Sequence, residues 1–436
     1  MLLSIRAVPD YDPRMGLLEE LQWRGMLSAS TEGLGELLDR ERVTAYIGFD
    51  PTAASLHVGS LLTVMGLARL QRFGHVPIAI VGGGTGMIGD PSGKSQERVL
   101  LSADQVEANV AGIRGQLSRF LDFEAIENPA RIVNNADWLG TIDVLSFLRD
   151  IGKHFTVNYM LQKESVSRRL GSEEGISYTE FSYLVLQAYD FLQLFDRYGC
   201  LLQMGGSDQW GNITAGIDLI RKLRAKKAHG LVWPLMTTAS GAKFGKTEAG
   251  TVWLDPGLTS PFRFYQFWLN TDDRDVVSYL KSFTWLDALT IDALERCVAE
   301  TPETREAQRT LAREVTAMVH GQTELASAER ASAVLFGGRL SDARVEDILL
   351  VFEDAPSVTI DAAALSAGIA NTEMAVAAGL AASKGEAARL IKQGGLYIND
   401  RRLVDDRGRV TMEDAIDRAV IVLRKGQRER RIVKIV

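Results

Sequence analysis

The 436-residue chain predicts an α/β protein: a parallel-sheet domain, then an all-helical domain, then a small basic α/β domain at its C-terminal side. Three observations carry that expectation. Apolar, β-branched runs alternate with helical periodicity over roughly the first 257 residues, the pattern of a parallel sheet with helices on its faces. Strand signals then vanish between 259 and 336. Positive charge collects after residue 384. The length suggests about three domains at roughly 150 residues each.

Taken in order, VTAYIGFD (43–50) reads as a buried strand that Pro51 ends. The stretch from Ser55 to Gly74 follows as a helix: Leu61, Val64, Met65, Ala68 and Leu70 keep the helical period, and Gly74 stands at its C-terminal stop. VPIAIVGGGTGMIGD is an apolar strand running into glycines, and after Ser95 the pattern is helical again. YGCLLQMGG is a further strand. After Pro256, Ser260-Pro261 offers an N-cap and a first helical position. Further helices are expected at 287–299, 303–319 and 323–335. The domains are therefore expected at 1–257, 258–337 and 370–436, with 338–369, carrying Gly338 and Pro356, as a linker.

Composition bounds the function. Hydrophobic residues at 46% and charged residues at 24% exclude disorder and collagen-like repeats. Two cysteines, Cys200 and Cys297, exclude a disulfide framework and a cysteine-based zinc site. No apolar run reaches the ~18 residues of a membrane span. MLLSIRAVPDYDP turns acidic and proline-bearing too early for a signal peptide. A cytoplasmic protein with neither membrane nor DNA as partner is the expectation. The formal charge is −7, yet residues 384–436 hold 14 lysines and arginines against 8 acids, or +6. A basic end on an acidic body suggests a polyanion partner; a solvated face is the alternative.

Five stretches carry chemistry. Gly84, Gly86 and Gly89 have dinucleotide-fingerprint spacing, but Asp104, about 20 residues on, reads as a helix start and not a strand end. Gly93-Lys94-Ser95 ends like a P-loop, but the leading glycine position is Ile88. In FDPTAASLHVGS, Asp50, Thr52, His57 and Ser60 gather at a helix mouth, where free N–H groups favour phosphate. The helix around 181–194 is apolar almost all round, except for one stripe of Tyr183, Gln187 and Asp190. Such a stripe needs a polar ligand or an internal network, because unpartnered buried polar groups are costly. GGSDQWGN (205–212) offers Asp208 and Gln209 at a sheet edge, and KFGKT (243–247) puts two lysines around a glycine.

Together and in order, YIGFDPTAASLHVGSL, VGGGTGMIGDPSGKSQER, NADWL, YTEFSYLVLQAYDF, GGSDQWGNI and KFGKT closely resemble the bacterial-type tyrosyl-tRNA synthetases, which are class I aminoacyl-tRNA synthetases. The resemblance covers nearly the whole chain. It implies a Rossmann-like catalytic domain and a helical anticodon-binding domain. AGLAASKGEAARLIKQGGLYIN resembles a small RNA-binding fold found in a ribosomal protein.

The resemblance also implies roles. Tyr46 and Asp190 would hold the tyrosine hydroxyl; Asp90, Tyr183 and Gln187 its ammonium; Gln203 and Gln209 would lie near its carboxylate. ATP would meet Gly48, Asp50, Thr52, His57, Ser60, Gly206, Asp208 and Lys246. Lys94, Arg98, Lys243, Lys246 and Thr247 would meet the departing pyrophosphate. Ser60 stands where the family often carries a second histidine, and Ile47 where many relatives carry cysteine. The implied partners are L-tyrosine, ATP with Mg2+, the tRNA for tyrosine and a second copy of the chain. A tryptophanyl-tRNA synthetase and a non-catalytic RNA-binding protein remain as rival readings.

Overall fold

The computed structural model describes residues 15–92, 101–171, 175–241, 244–247, 250–335, 339–340, 343–426 and 429–436. By packing, the chain divides into two units: residues up to 260 with 267–319, and residues 261–266 with 320–436.

The first unit is built on a six-stranded sheet of order β1-β6-β5-β2-β3-β4. Its strands are β1 (Ala29–Ser30), β2 (Thr44–Phe49), β3 (Val76–Val81), β4 (Arg131–Asn134), β5 (Cys200–Gly206) and β6 (His229–Trp233). Strands β2 to β6 pair in parallel, as expected, while β1 is a short antiparallel edge on β6. Central β2 is covered on both faces, so Ala45, Tyr46, Ile47 and Phe49 are all buried. The helix Val58–Arg72 joins β2 to β3, and Gly74 follows it at φ +86°. A Cβ on Gly66 of that helix would lie 2.9 Å from the Trp233 ring. The long helix Tyr178–Tyr198 leads into β5 through Gly199 at φ +62° and packs its Phe191 against Gly216 of the helix Trp210–Arg224. Because β3 lies on one side of β2 and β5 on the other, the chain switches direction there. A crevice opens at the carboxyl ends of those strands, where open α/β sheets bind ligands.

The domain boundary expected at 257 does not divide the packing. The helices Asp273–Phe283 and Ala288–Glu300 belong to the sheet unit. The cause is a pair of buried arginines. Arg69 donates to the carbonyls of Ser282 (2.9 Å) and Thr284 (2.8 Å), and Arg24 to those of Lys281 (2.8 Å) and Leu286 (2.9 Å). These carbonyls lie at and just beyond the C-terminal end of the Asp273–Phe283 helix, which the sequence reading omitted. A cation satisfies orphan oxygens and complements the helix dipole there. A hairpin of β7 (Lys246–Thr247) and β8 (Gly250–Thr251) completes this unit's strands among the described residues.

The second unit holds a five-stranded sheet of order β12-β11-β14-β15-β9. These strands are β9 (Ser357–Ile360), β11 (Leu396–Ile398), β12 (Arg401–Arg402), β14 (Val420–Lys425) and β15 (Glu429–Ile435). A two-residue pair, β10 (Ile369–Ala370) and β13 (Arg409–Val410), lies outside it. The linker expected at 338–369 is therefore corrected. Its β9 pairs in parallel with β15, and its Leu365 is fully buried in the same core as Met374, Ile391 and Ile421. A four-residue strand between Pro356 and Asp361 is too short to show a period, so sequence alone reads it as a connector.

Candidate active site

A cavity of about 620 Å³ opens at the carboxyl ends of β2 and β5. Its deep end is set by Tyr46 on β2 and Asp190 on the Tyr178–Tyr198 helix, both buried. The two Asp190 oxygens each accept one bond: Asn135 Nδ2 donates to Oδ2 (2.9 Å) and Trp138 Nε1 to Oδ1 (2.7 Å). Burial pushes the Asp190 carboxyl up to about 7, against the pull of those two donors. Burial, and then the Asp190 charge, raise the Tyr46 phenol well above its ordinary range. Among the described residues the Tyr46 hydroxyl has no hydrogen-bond partner, and neither has the buried Oε1 of Gln203 on β5. Both atoms belong to cavity-lining residues, and buried polar atoms without partners are costly. The deep end therefore asks for a ligand that is apolar in its body and carries a hydroxyl at its tip.

Above it lies a network of amides around one carboxylate. Gln209 Nε2 donates to Asp90 Oδ2 (2.8 Å), and the Ser92 N–H to Asp90 Oδ1 (2.9 Å). Gln187 Nε2 donates to Gln209 Oε1 (3.2 Å), while Asn212 Nδ2 donates to Gln187 Oε1 (3.0 Å). Gln187 thus joins the helix to the β5 turn. Gly205 allows this approach: a Cβ there would lie 3.3 Å from the Gln209 Cβ. A carboxylate ringed by amides suits an ammonium, and the amide donors suit a carboxylate beside it.

The mouth is built from turns. His57 caps the Val58–Arg72 helix, its Nδ1 accepting from the Ser60 N–H at 3.2 Å. In a neutral ring that leaves the proton on Nε2. Asp50, at the end of β2, accepts from Tyr183 Oη (3.3 Å) and Thr85 Oγ1 (3.5 Å). The β7–β8 hairpin is tied to the helix start: the Val58 N–H donates to the Val252 carbonyl (3.0 Å) and the Val252 N–H to the Gly245 carbonyl (3.2 Å). Gly245 takes φ +83°, and a Cβ there would lie 2.8 Å from Val58 Cγ2 and 3.1 Å from the Gly59 nitrogen. Phe244, next to it, is buried among Phe267, Trp268, Tyr279 and Phe283. This aromatic anchor fixes the start of the β7–β8 hairpin.

Known proteins resemble this chain over most of its length. Residues 38–337 match the family model of class I tRNA synthetases of the tryptophan and tyrosine group, and residues 347–433 match the tyrosine–tRNA ligase SYY-like C-terminal domain. The chain belongs to the bacterial-type tyrosyl-tRNA synthetases of class I. The tyrosine–tRNA ligase of Roseiflexus castenholzii is 58% identical over 421 residues, 96% of this chain and 99% of the relative. That of Geobacillus stearothermophilus is 52% identical over 423 residues, 96% of this chain and 100% of the relative. Among solved structures, a C-terminally truncated Aspergillus nidulans mitochondrial tyrosyl-tRNA synthetase matches with a TM-score of 0.68 at 30% identity, over 74% of this chain and 95% of that one.

Within that family setting, the expected site residues divide. Tyr46, Gly48, Asp50, His57, Ser60, Asp90, Tyr183, Gln187, Asp190, Gln203, Gly206, Asp208 and Gln209 all line the one cavity. Thr52 does not: its side chain is exposed and its N–H turns back to the Asp50 carbonyl at 2.8 Å. Tyr183 directs its hydroxyl to Asp50. Lys94, Arg98 and Lys243 lie outside the described residues; of Lys246 and Thr247 the backbone in β7 is described. Sequence reasoning assigned no role to Asn135, Trp138 or Asn212, although each lies in a quoted stretch, NADWL or GGSDQWGNI. The polar pair Asn134-Asn135, directly after Ile132 and Val133 of β4, was the available signal.

Proposed function

We propose that the cavity joins L-tyrosine to ATP, giving tyrosyl-adenylate and pyrophosphate, and that the tyrosyl group then passes to the 3′-terminal ribose of its tRNA. The carrying observation is the deep end, where the unpartnered Tyr46 hydroxyl faces the same cavity as Asp190. A phenol there accepts from Tyr46 and donates to Asp190; a phenylalanine leaves both unsatisfied. Asp90, with Gln187 beside it, takes the ammonium, and Gln203 and Gln209 lie toward the carboxylate. Tyr183 acts by orienting Asp50.

In the first step a tyrosine carboxylate oxygen attacks the α-phosphorus and the bond to pyrophosphate breaks. The nucleophile is already ionised, so no general base is needed. Catalysis rests on alignment and on meeting the charge that develops as pyrophosphate leaves. His57, Ser60 and the positive end of the Val58–Arg72 helix dipole serve the phosphates. Lys94, Arg98, Lys243, Lys246 and Thr247 serve the leaving group. Gly48, Gly206 and Asp208 serve the adenosine. Magnesium comes on the ATP as substrate and shares the phosphate charge; oxygen donors such as the cavity carboxylates suit it.

The helices of 258–337 and the basic C-terminal unit take the body of the tRNA in this reading. A homodimer is also proposed. Val144, Leu145, Leu148 and Val157 are exposed within one short stretch of the catalytic unit, which supports a second copy as its cover. Leu145→Asp should then shift the sedimentation coefficient to that of a monomer.

ATP–pyrophosphate exchange with each of the twenty amino acids tests the whole reading. Exchange with tyrosine alone is expected. Exchange with tryptophan would keep the fold and reassign the pocket; exchange with none would favour the RNA-binding rival.

A further inference from the structure

The turn between β2 and the Val58–Arg72 helix is held from outside the cavity. The helix Ala103–Leu117 lays one face along it, carrying Asn109, Gly112 and Gln116 at i, i+3 and i+7. Asn109 Nδ2 donates to the Pro51 carbonyl (2.8 Å). A Cβ on Gly112 would run into the Ala54 carbonyl. Gln116 is buried and uses both ends of its amide on two consecutive residues. Its Nε2 donates to Ser55 Oγ (2.9 Å), and its Oε1 accepts from the Leu56 N–H (2.8 Å). The helix face thus follows the turn in order, from residue 51 to residue 56, and His57 comes next. None of the three is among the described residues that line the cavity.

Ser55 and Leu56 also hold the chain that leaves the β7–β8 hairpin. The Asp255 N–H donates to Ser55 Oγ (3.2 Å), and the Leu254 N–H to the Leu56 carbonyl (2.9 Å). The buried Ser55 hydroxyl donates in turn to the Leu56 carbonyl (2.6 Å). Ser55 Oγ therefore takes one donor from the helix and one from the segment beyond β8, which fills its capacity. Leu56 is pinned in the same way, by its N–H to the helix and by its carbonyl to that segment. One junction joins three parts: the Ala103–Leu117 helix, the turn that ends in His57, and the segment that follows the hairpin of Lys246.

Apolar side chains would cover such a turn without further demands, whereas a buried amide has to be hydrogen-bonded. Apolar contact lets a turn slide; hydrogen bonds fix individual atoms. Attack on the α-phosphorus tolerates little displacement, and a shift of about 1 Å caused far from the reacting atoms can cost about 100-fold in rate. We propose that Gln116 is a positioning residue for adenylate formation: through Ser55 and Leu56 it sets where His57 stands relative to the β7–β8 hairpin. The proposal rests on the reading of His57 as a partner of the phosphates, and it names the outer support on which that role depends.

The test is Gln116→Leu in the full chain, with single-turnover adenylate formation and equilibrium tyrosine binding measured side by side. At saturating tyrosine and ATP the rate constant should fall about 10- to 100-fold, while the tyrosine dissociation constant stays within about twofold. A merely structural role would lower the melting temperature and leave that rate constant where it is, which would overturn the proposal. Equal losses in rate and in tyrosine affinity would overturn it as well. Combining Gln116→Leu with His57→Ala reads the route. Losses at residues that act as one unit do not add, so the double variant should be slower than His57→Ala alone by less than about threefold. Full multiplication of the two losses would overturn the proposal. If Gln116→Leu melts early, Ser55→Ala decides. It removes only the hydroxyl at the junction, so adenylate formation should slow several-fold with tyrosine binding retained; an unaltered rate would overturn the proposal. His57→Ala at full rate would strike the reading of His57 itself, a failure distinct from an unaltered rate in Gln116→Leu beside a slow His57→Ala.

Discussion

The two ends of the catalytic cavity solve different problems with different materials. The deep end is side chain against side chain: Asp190 is clamped by Asn135 and Trp138, and all three are buried. The mouth is backbone against backbone: a helix start, a hairpin and glycines that leave no room for a Cβ. Recognition of one hydroxyl needs fixed partners in a dry place. Handling a triphosphate needs many N–H groups and cations that reach a moving charge. The contrast predicts that damage at the mouth will slow the chemistry, and damage at the depth will blur the choice of amino acid.

The largest effect should come from Lys246→Ala. Exchange should fall about 100- to 1,000-fold in kcat, the scale of one lost transition-state donor, with tyrosine affinity nearly unaltered. Equal losses in both would break the division between the two ends. Gly245→Ala should come next. Its φ of +83° and the Val58 and Gly59 atoms within 3.1 Å leave the new methyl group nowhere to go. Pre-steady-state adenylate formation should slow about tenfold to a hundredfold, again with tyrosine binding retained.

Asp190→Asn should act at the other end. The amide keeps a single acceptor oxygen, for which the Asn135 and Trp138 donors and the tyrosine hydroxyl compete, at about 1–3 kcal/mol, so the tyrosine-over-phenylalanine ratio of kcat/KM should drop at least several-fold. Unchanged discrimination would place the phenol elsewhere. The smallest effect is in pH. With its carboxyl at about 7 in the free protein, Asp190 takes up a proton as pH falls below that value, and KM for tyrosine should rise toward pH 6 while kcat moves little. Asp190→Asn should flatten that rise. Stability runs in the opposite sense. Native Asp190 keeps a proton that the unfolded chain releases near 4, so its contribution is greatest at low pH and is lost as pH climbs through about 7. Melting temperatures of the free protein and the asparagine variant should converge along that climb.

What could be read beforehand follows from length and locality. β2, β3 and β5 are long apolar runs, and the Tyr183–Gln187–Asp190 stripe is a period within one helix. Both signals are local. The clamp on Asp190 is not: its donors lie 55 and 52 positions away, and no period connects them. The Asp273–Phe283 helix opens on acids that resemble a loop, and what holds its far end is a pair of arginines more than 200 positions earlier in the chain. Pieces assembled across such distances become visible only when the sheet brings them together.

The parallel pairing of β9 with β15 has a consequence for synthesis. β9 is complete at residue 360, but its partner begins at residue 429. At roughly 5–20 residues per second, the finished strand waits several seconds on the ribosome. During that time one face of the Val345–Val351 helix, with Ile348 at its centre, has not yet met Val420, Val422 and Ile432. The newborn chain carries that apolar face uncovered through the interval, and a chaperone that shields short apolar helices would act on it there.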